Sequence, residues 1–195
     1  MNPENGKGSV NDLTWQMAVT AILLAICVAS QFLKNLSVYI TGPIINLCLI
    51  IALMTVGMWW AVVLAVITPV TAFLITASPV MQMVPAMIPM IILGNIVLVI
   101  TAYYFFRPSF TGAGEKIAVK NAAIAVCCCI AKALFMGLTI SLWLLPSYIQ
   151  EGTPLREKLP VFQTTFSVTQ LITAVIGFVY FYIIWKPIKK MVEKR

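Results

Sequence analysis

Long apolar blocks alternate along this chain with short polar clusters, and almost every cluster is brief enough to be a connection. The longest block, Tyr39 to Thr76, carries no charged side chain and is interrupted only by Gly42-Pro43, by Gly57 beside Trp59-Trp60, and by Thr68-Pro69. A helix crossing a bilayer core takes roughly 20 residues, so this block predicts two spans meeting near Gly57, with the tryptophans at the membrane–water boundary. The other blocks predict a first span over Leu13 to Leu33, a fourth over Met83 to Phe106, a fifth over Ile117 to Leu145 and a sixth over Phe162 to Trp185. Pro85 and Pro89 fall in the first turns of the fourth, where a missing amide hydrogen costs least. Between spans, Lys34 to Tyr39, Ala77 to Gln82, Arg107 to Lys120 (with a Gly-Ala-Gly break) and Ser147 to Val161 read as loops. Lys186-Pro187 closes the sixth span. The predicted fold is an all-α integral membrane protein, with a frayed polar lead over 1–12, one compact bundle of six transmembrane helices over 13–185, and a basic tail over 186–195.

Composition strengthens this reading. Hydrophobic residues make up 61% of the chain and charged ones 10%, and the mean hydropathy of +0.98 lies far outside the soluble range. The net charge of +7 is not gathered on an aromatic-rich soluble face, which argues for a basic tail at a lipid surface and against nucleic acid as a partner. With both termini cytoplasmic, the inner side holds Lys7, Arg107, Lys116, Lys120, Lys186, Lys189, Lys190, Lys194 and Arg195, against Lys34, Arg156 and Lys158 outside. That asymmetry obeys the positive-inside rule and predicts a multi-pass protein of the cytoplasmic membrane. Cys27, Cys48 and Cys127 to Cys129 all sit in apolar spans, where thiols behave as small hydrophobes. Three adjacent helical cysteines fan out around the axis and the chain has no histidine, so no metal or other cofactor is expected.

Chemistry should reside in the polar groups inside the spans, because each costs free energy unless satisfied or used. These are Asn46, Thr68, Thr71, Asn95, Lys132, Gln163 and Gln170. Lys132 stands out, since it lies roughly 20 Å below Pro146 at 1.5 Å per residue, too deep to reach an interface easily. Asn95 falls at a similar depth on the fourth span, while Asn46 and the threonines are expected to knit helices together. Helical spacing groups Lys132, Met136, Thr139 and Trp143 on one stripe, and Gln163, Ser167, Gln170, Ala174 and Gly177 on another. Together the stripes predict an outward-opening pocket with a polar floor, in which Trp143 or Met136 covers an apolar part of the ligand. No acidic residue lies inside a span to neutralise Lys132, so either its surroundings deprotonate it or a ligand brings an anionic or electron-rich oxygen. Satisfaction by backbone carbonyls alone would make it a structural lysine.

Ala21, Ala25 and Ala29 place small residues on one face of the first span, the spacing that lets another helix approach closely. Without histidine or an intramembrane carboxylate the chain has no proton relay or acid–base pair for ion-coupled transport or membrane proteolysis. It has no P-loop, so uphill transport would draw its energy from another subunit.

The segments ITGPIINLCLIIA, ITPVTAFLI, IPMIILGNIVLV, AKALF and FSVTQLITAVIG, on six spans with an alanine-spaced first helix, resemble the substrate-binding (S) component of an energy-coupling factor vitamin transporter. The resemblance runs from about Leu13 to Trp185. It implies a non-catalytic subunit that captures a small vitamin-like micronutrient and topples in the membrane to release it. The implied partners are a transmembrane coupling (T) component and two ATP-binding-cassette ATPases. The resemblance maps the T-component contact onto Ala21, Ala25 and Ala29. It implicates Asn95, Lys132, Gln163 and Gln170 in the pocket, with Tyr39 and Gln82 as candidates for its lid. Two other classes fit the same pattern of spans: a structural or scaffold membrane protein, and a stand-alone small-solute facilitator or membrane enzyme.

Overall fold

The computed structural model describes residues 4–33, 37–112 and 119–193. Lys34, Lys116, Lys194 and Arg195, which entered the orientation argument, lie outside the described residues, as does most of the Gly-Ala-Gly break. Among the described residues there is no strand. Six stretches are long and apolar enough to cross a membrane: Asp12–Gln31, Val38–Thr55, Met58–Thr76, Met87–Thr111, Val119–Tyr148 and Leu159–Val192. The chain is a multi-pass, all-helical membrane protein.

The hinge at Gly57 is where the apolar pattern placed it. Its φ of +100° is a conformation that a side chain would strain, and the second and third spans meet there with two residues between them. Elsewhere the boundaries move for identifiable reasons. The helix carrying the first span begins at Glu4, so the predicted frayed lead is helical from that residue onward. The expected loop over Ala77 to Gln82 contains a separate short helix, Pro79–Met83. Val84, held extended at φ −119° and ψ 83° by the proline that follows, ends it, so the fourth span starts at Met87 rather than Met83. The sixth span is broken at Ser167 into Leu159–Phe166 and Val168–Glu193. Ser167 Oγ donates back to the Gln163 carbonyl at 2.6 Å, a local bond that competes with helical pairing. Nor does Lys186-Pro187 close this span. The helix continues through Pro187 to Glu193, with Lys190 in its last turn, where a cation complements the helix dipole.

The second, third, fourth, fifth and sixth spans pack in that order into a closed ring, completed by the broad contact between the sixth and the second. The first span lies outside the ring against the second and third. Three hydrogen bonds pin it there: Trp60 Nε1 to Gln16 Oε1 at 2.9 Å, Gln31 Nε2 to the Thr68 carbonyl at 2.9 Å, and Thr41 Oγ1 to the Ser30 carbonyl at 3.1 Å.

Lipid offers no hydrophobic drive for helices to associate, so close packing must do that work. Glycines make it possible. A Cβ on Gly177 would meet Asn46 Cβ at 2.8 Å and the Pro43 carbonyl at 3.1 Å, and one on Gly42 would meet Thr173 Cβ at 2.8 Å. The sixth and second helices therefore cross nearly backbone to backbone. Gly94 does the same for the fourth and fifth, since its Cβ would lie 2.8 Å from Met136 Sδ.

The buried apolar side chains form two separate clusters. The larger contains Leu49, Leu53, Leu64, Leu98 and Cys128 and ends in an aromatic stack in which Phe106 meets Phe110 at 5.2 Å and Phe178 at 4.9 Å. The smaller contains Met81, Met87, Met136, Ile140 and Phe166. On the fifth span Lys132 lies one turn from Cys128 in the first cluster and one turn from Met136 in the second.

Candidate functional site

A polar layer occupies that division. Asn46, Asn95 and Lys132 sit near the middle of the second, fourth and fifth spans and are 2%, 4% and 2% exposed. Lys132 Nζ donates to Asn46 Oδ1 at 2.6 Å and to Asn95 Oδ1 at 2.8 Å. The two glycine crossings make this reach possible. Gly177 lets Asn46 approach the ring interior, and Gly94, adjacent to Asn95, lets the fourth and fifth helices close on each other.

The three residues line a cavity of about 110 Å³ inside the ring. Every span except the first contributes to its wall, with Thr68 from the third, Gln170 from the sixth and Met81 from the short Pro79–Met83 helix. The Thr68 hydroxyl is buried and has no hydrogen-bond partner among the described residues. Gln170 Nε2 reaches only the Thr165 carbonyl, at a long 3.4 Å. The rest of the wall is largely apolar, with Ile45, Ile91 and Phe166 among its members. A mostly apolar cavity into which a few polar groups converge is the usual makeup of a small-ligand site.

Of the residues singled out from sequence, Lys132, Asn95 and Gln170 come together here. The structure places the others elsewhere. Met136 is fully buried against Gly94 in the smaller apolar cluster, one turn from Lys132, and supports the site without lining it. Trp143 is 62% exposed and does not line the cavity. The cause is local: Gly137–Leu144 is π-helical, with more residues per turn than an α-helix. The buried stripe therefore runs through Met136, Ile140 and Leu144, and the α-helical spacing that placed Trp143 above Lys132 does not hold.

Gln163 is removed from the cavity by the break at Ser167. It pairs with the fifth span, its Nε2 donating to the Ser141 carbonyl at 2.9 Å while Ser141 Oγ donates to the Gln163 carbonyl at 2.9 Å. Tyr39 is half-exposed in a neighbouring groove that shares Val38 and Thr165 with the cavity wall. Gln82 is exposed and donates to the Ala77 carbonyl at 2.9 Å; its neighbour Met81 lines the cavity instead. Ala21, Ala25 and Ala29 lie on an exposed face of the first span, while Leu23 and Cys27 turn inward.

Asn46 and Thr68 are the residues that sequence reasoning underweighted. Asn46 was expected to join helices. It does so, but through Lys132 and on the cavity wall. The available signal was depth: Asn46 sits as near the middle of its span as Asn95 does. All five cysteines are free, and no group of metal-ligating side chains occurs among the described residues. No family model, curated protein or solved structure matches this chain.

Proposed function

We propose that this chain is the membrane-embedded substrate-capture subunit of an importer of the energy-coupling factor type. It binds a small vitamin-like solute with an anionic or electron-rich group and delivers it through a T component driven by two ATPases. The observation that carries the reading is the Lys132–Asn46–Asn95 cluster on the wall of a cavity inside the ring, in a bundle with no acidic residue between the ends of any span. A buried lysine in a membrane is costly and is a functional candidate by default. The exposed alanine face of the first span supplies a docking surface for the T component, outside the ring that holds the ligand. In this reading both termini are cytoplasmic, the membrane is the cytoplasmic one, and the chain itself is not an enzyme.

A structural role is the rival with an observation of its own, because Lys132 finds two partners inside the protein and ties three spans together. Native mass spectrometry of the purified chain separates the two. Capture predicts a co-purified small molecule, and uptake of that molecule into liposomes only when T component and ATPases are present. A chain that retains no small molecule and gains no thermal stability from any solute is a scaffold. Uptake by the chain alone would make it a facilitator.

A further inference from the structure

The direction of the hydrogen bonds in the polar layer narrows the ligand further than charge alone. An ammonium group only donates, so Asn46 and Asn95 must both present their oxygens to Lys132. Each amide is left with an NH2 group, and no acceptor among the described residues takes either one. Lys132 itself retains a third N–H beyond the two bonds it makes. The floor of the cavity is thus a cluster of donors bearing one positive charge. Thr68, on the third span, adds a buried hydroxyl without a partner. None of the six acidic residues lies between the ends of a span, so the protein supplies no negative charge to this cluster.

We propose that the cavity takes a compact monocarboxylate, its carboxylate seated against Lys132 and the amide groups of Asn46 and Asn95; this rests on the substrate-capture reading above. An ionised carboxylate is acceptor-only, with about four lone-pair sites on two oxygens, and so answers several converging donors at once. Its single charge balances the single lysine. A phosphate monoester brings about −1.5 to −2 and would leave charge unpaired in a low-dielectric site. A neutral amide or ketone leaves the lysine uncompensated, and an amine or ammonium head would set donor against donor. The body of the ligand faces Ile45, Ile91 and Phe166, which suits hydrocarbon or an aromatic ring, and the Thr68 hydroxyl and Gln170 can serve one further polar group. The cavity of about 110 Å³ favours a compact molecule.

The test uses the purified full chain, with thermal stability read against three matched sets: butyrate, butyramide and butyl phosphate; benzoate, benzamide and phenyl phosphate; cyclohexanecarboxylate, cyclohexanecarboxamide and cyclohexyl phosphate. Native mass spectra are recorded alongside. At equal concentration the carboxylates are expected to stabilise and their amides and phosphates to do so at least tenfold less potently. Asn95→Asp and Asn46→Asp place a carboxylate beside Lys132 without changing side-chain shape. Both are expected to fold as the parent does and to lose the response to carboxylates. Equal or stronger stabilisation by the amides or phosphates, or a co-purified molecule without a carboxylate, overturns the ligand class while leaving substrate capture intact. Carboxylate stabilisation that persists undiminished in both aspartate variants overturns the assignment to the Lys132 cluster. No response to any probe, together with no co-purified molecule, overturns the class and substrate capture together.

Discussion

Replacing Gly177 with alanine tests whether the close crossing of the second and sixth helices creates the site. The added Cβ would fall 2.8 Å from Asn46 Cβ, 3.1 Å from the Pro43 carbonyl oxygen and 3.2 Å from the Leu47 amide nitrogen. Two of these three atoms are backbone, so no side-chain rotation relieves the clash and the helices must move apart. Overpacking of this kind costs about 1–3 kcal/mol. Asn46 is the residue pushed, and its 2.6 Å bond to Lys132 is a hydrogen bond to a charged group, worth about 1.5–3 kcal/mol. Alanine's better helix propensity returns about 1 kcal/mol. The net expectation is a loss of about 1.5–5 kcal/mol, read as a lowered unfolding midpoint in detergent, together with at least tenfold weaker ligand binding. Gly137→Ala is the control, because its Cβ would sit at an ordinary 3.4 Å from Ser167 Cβ, and it should be at least as stable as the parent and bind as the parent does. A Gly177→Ala protein as stable as the parent, with binding intact, would refute the reasoning.

Trp143→Ala should change ligand affinity by less than twofold in the same thermal assay, since the π-helical segment turns this side chain away from the cavity; a tenfold loss would restore it to the site. Ala25→Leu should shift the stability of the isolated chain by no more than about 0.5 kcal/mol, because Ala25 is exposed on the first span. The same variant should fail to co-purify with T component and ATPases, and a large destabilisation of the isolated chain would instead assign the alanine face to internal packing.

The six spans were legible because a bilayer imposes a simple requirement, long apolar helices, that appears directly in the residue pattern. Gly57 was legible for a similarly local reason: a lone glycine between two tight apolar blocks is where a positive φ is easiest. The depth of Lys132 and Asn95 also followed from counting along helices. What sequence spacing missed depends on partners distant in the chain or on departures from 3.6 residues per turn. Asn46 meets Lys132 across a separation of 86 residues. The π-helical turn at Gly137–Leu144 rotates everything beyond Met136, and nothing in the apolar pattern announces it. The break at Ser167 likewise divides the Gln163–Gly177 stripe, sending Gln163 to Ser141 while Gln170 stays on the cavity.

In the proposed reading the same three residues hold the ring together and define its binding chemistry, which couples stability to occupancy. Lys132 reaches spans two and four from span five, so loosening any one of these contacts opens the cavity as well as weakening the bundle. A ligand that binds only the closed ring stabilises it by mass action, about 2.7 kcal/mol at a hundred times its dissociation constant. The first span takes no part in this layer. Its hydrogen bonds run to the second and third helices, and its alanine face is left exposed. Contact on that face therefore influences the cavity only through those two helices. Both offer a direct route: Thr41 on the second helix lines the cavity and donates to the Ser30 carbonyl, and the Gln31 side chain donates to the carbonyl of Thr68 on the cavity wall of the third.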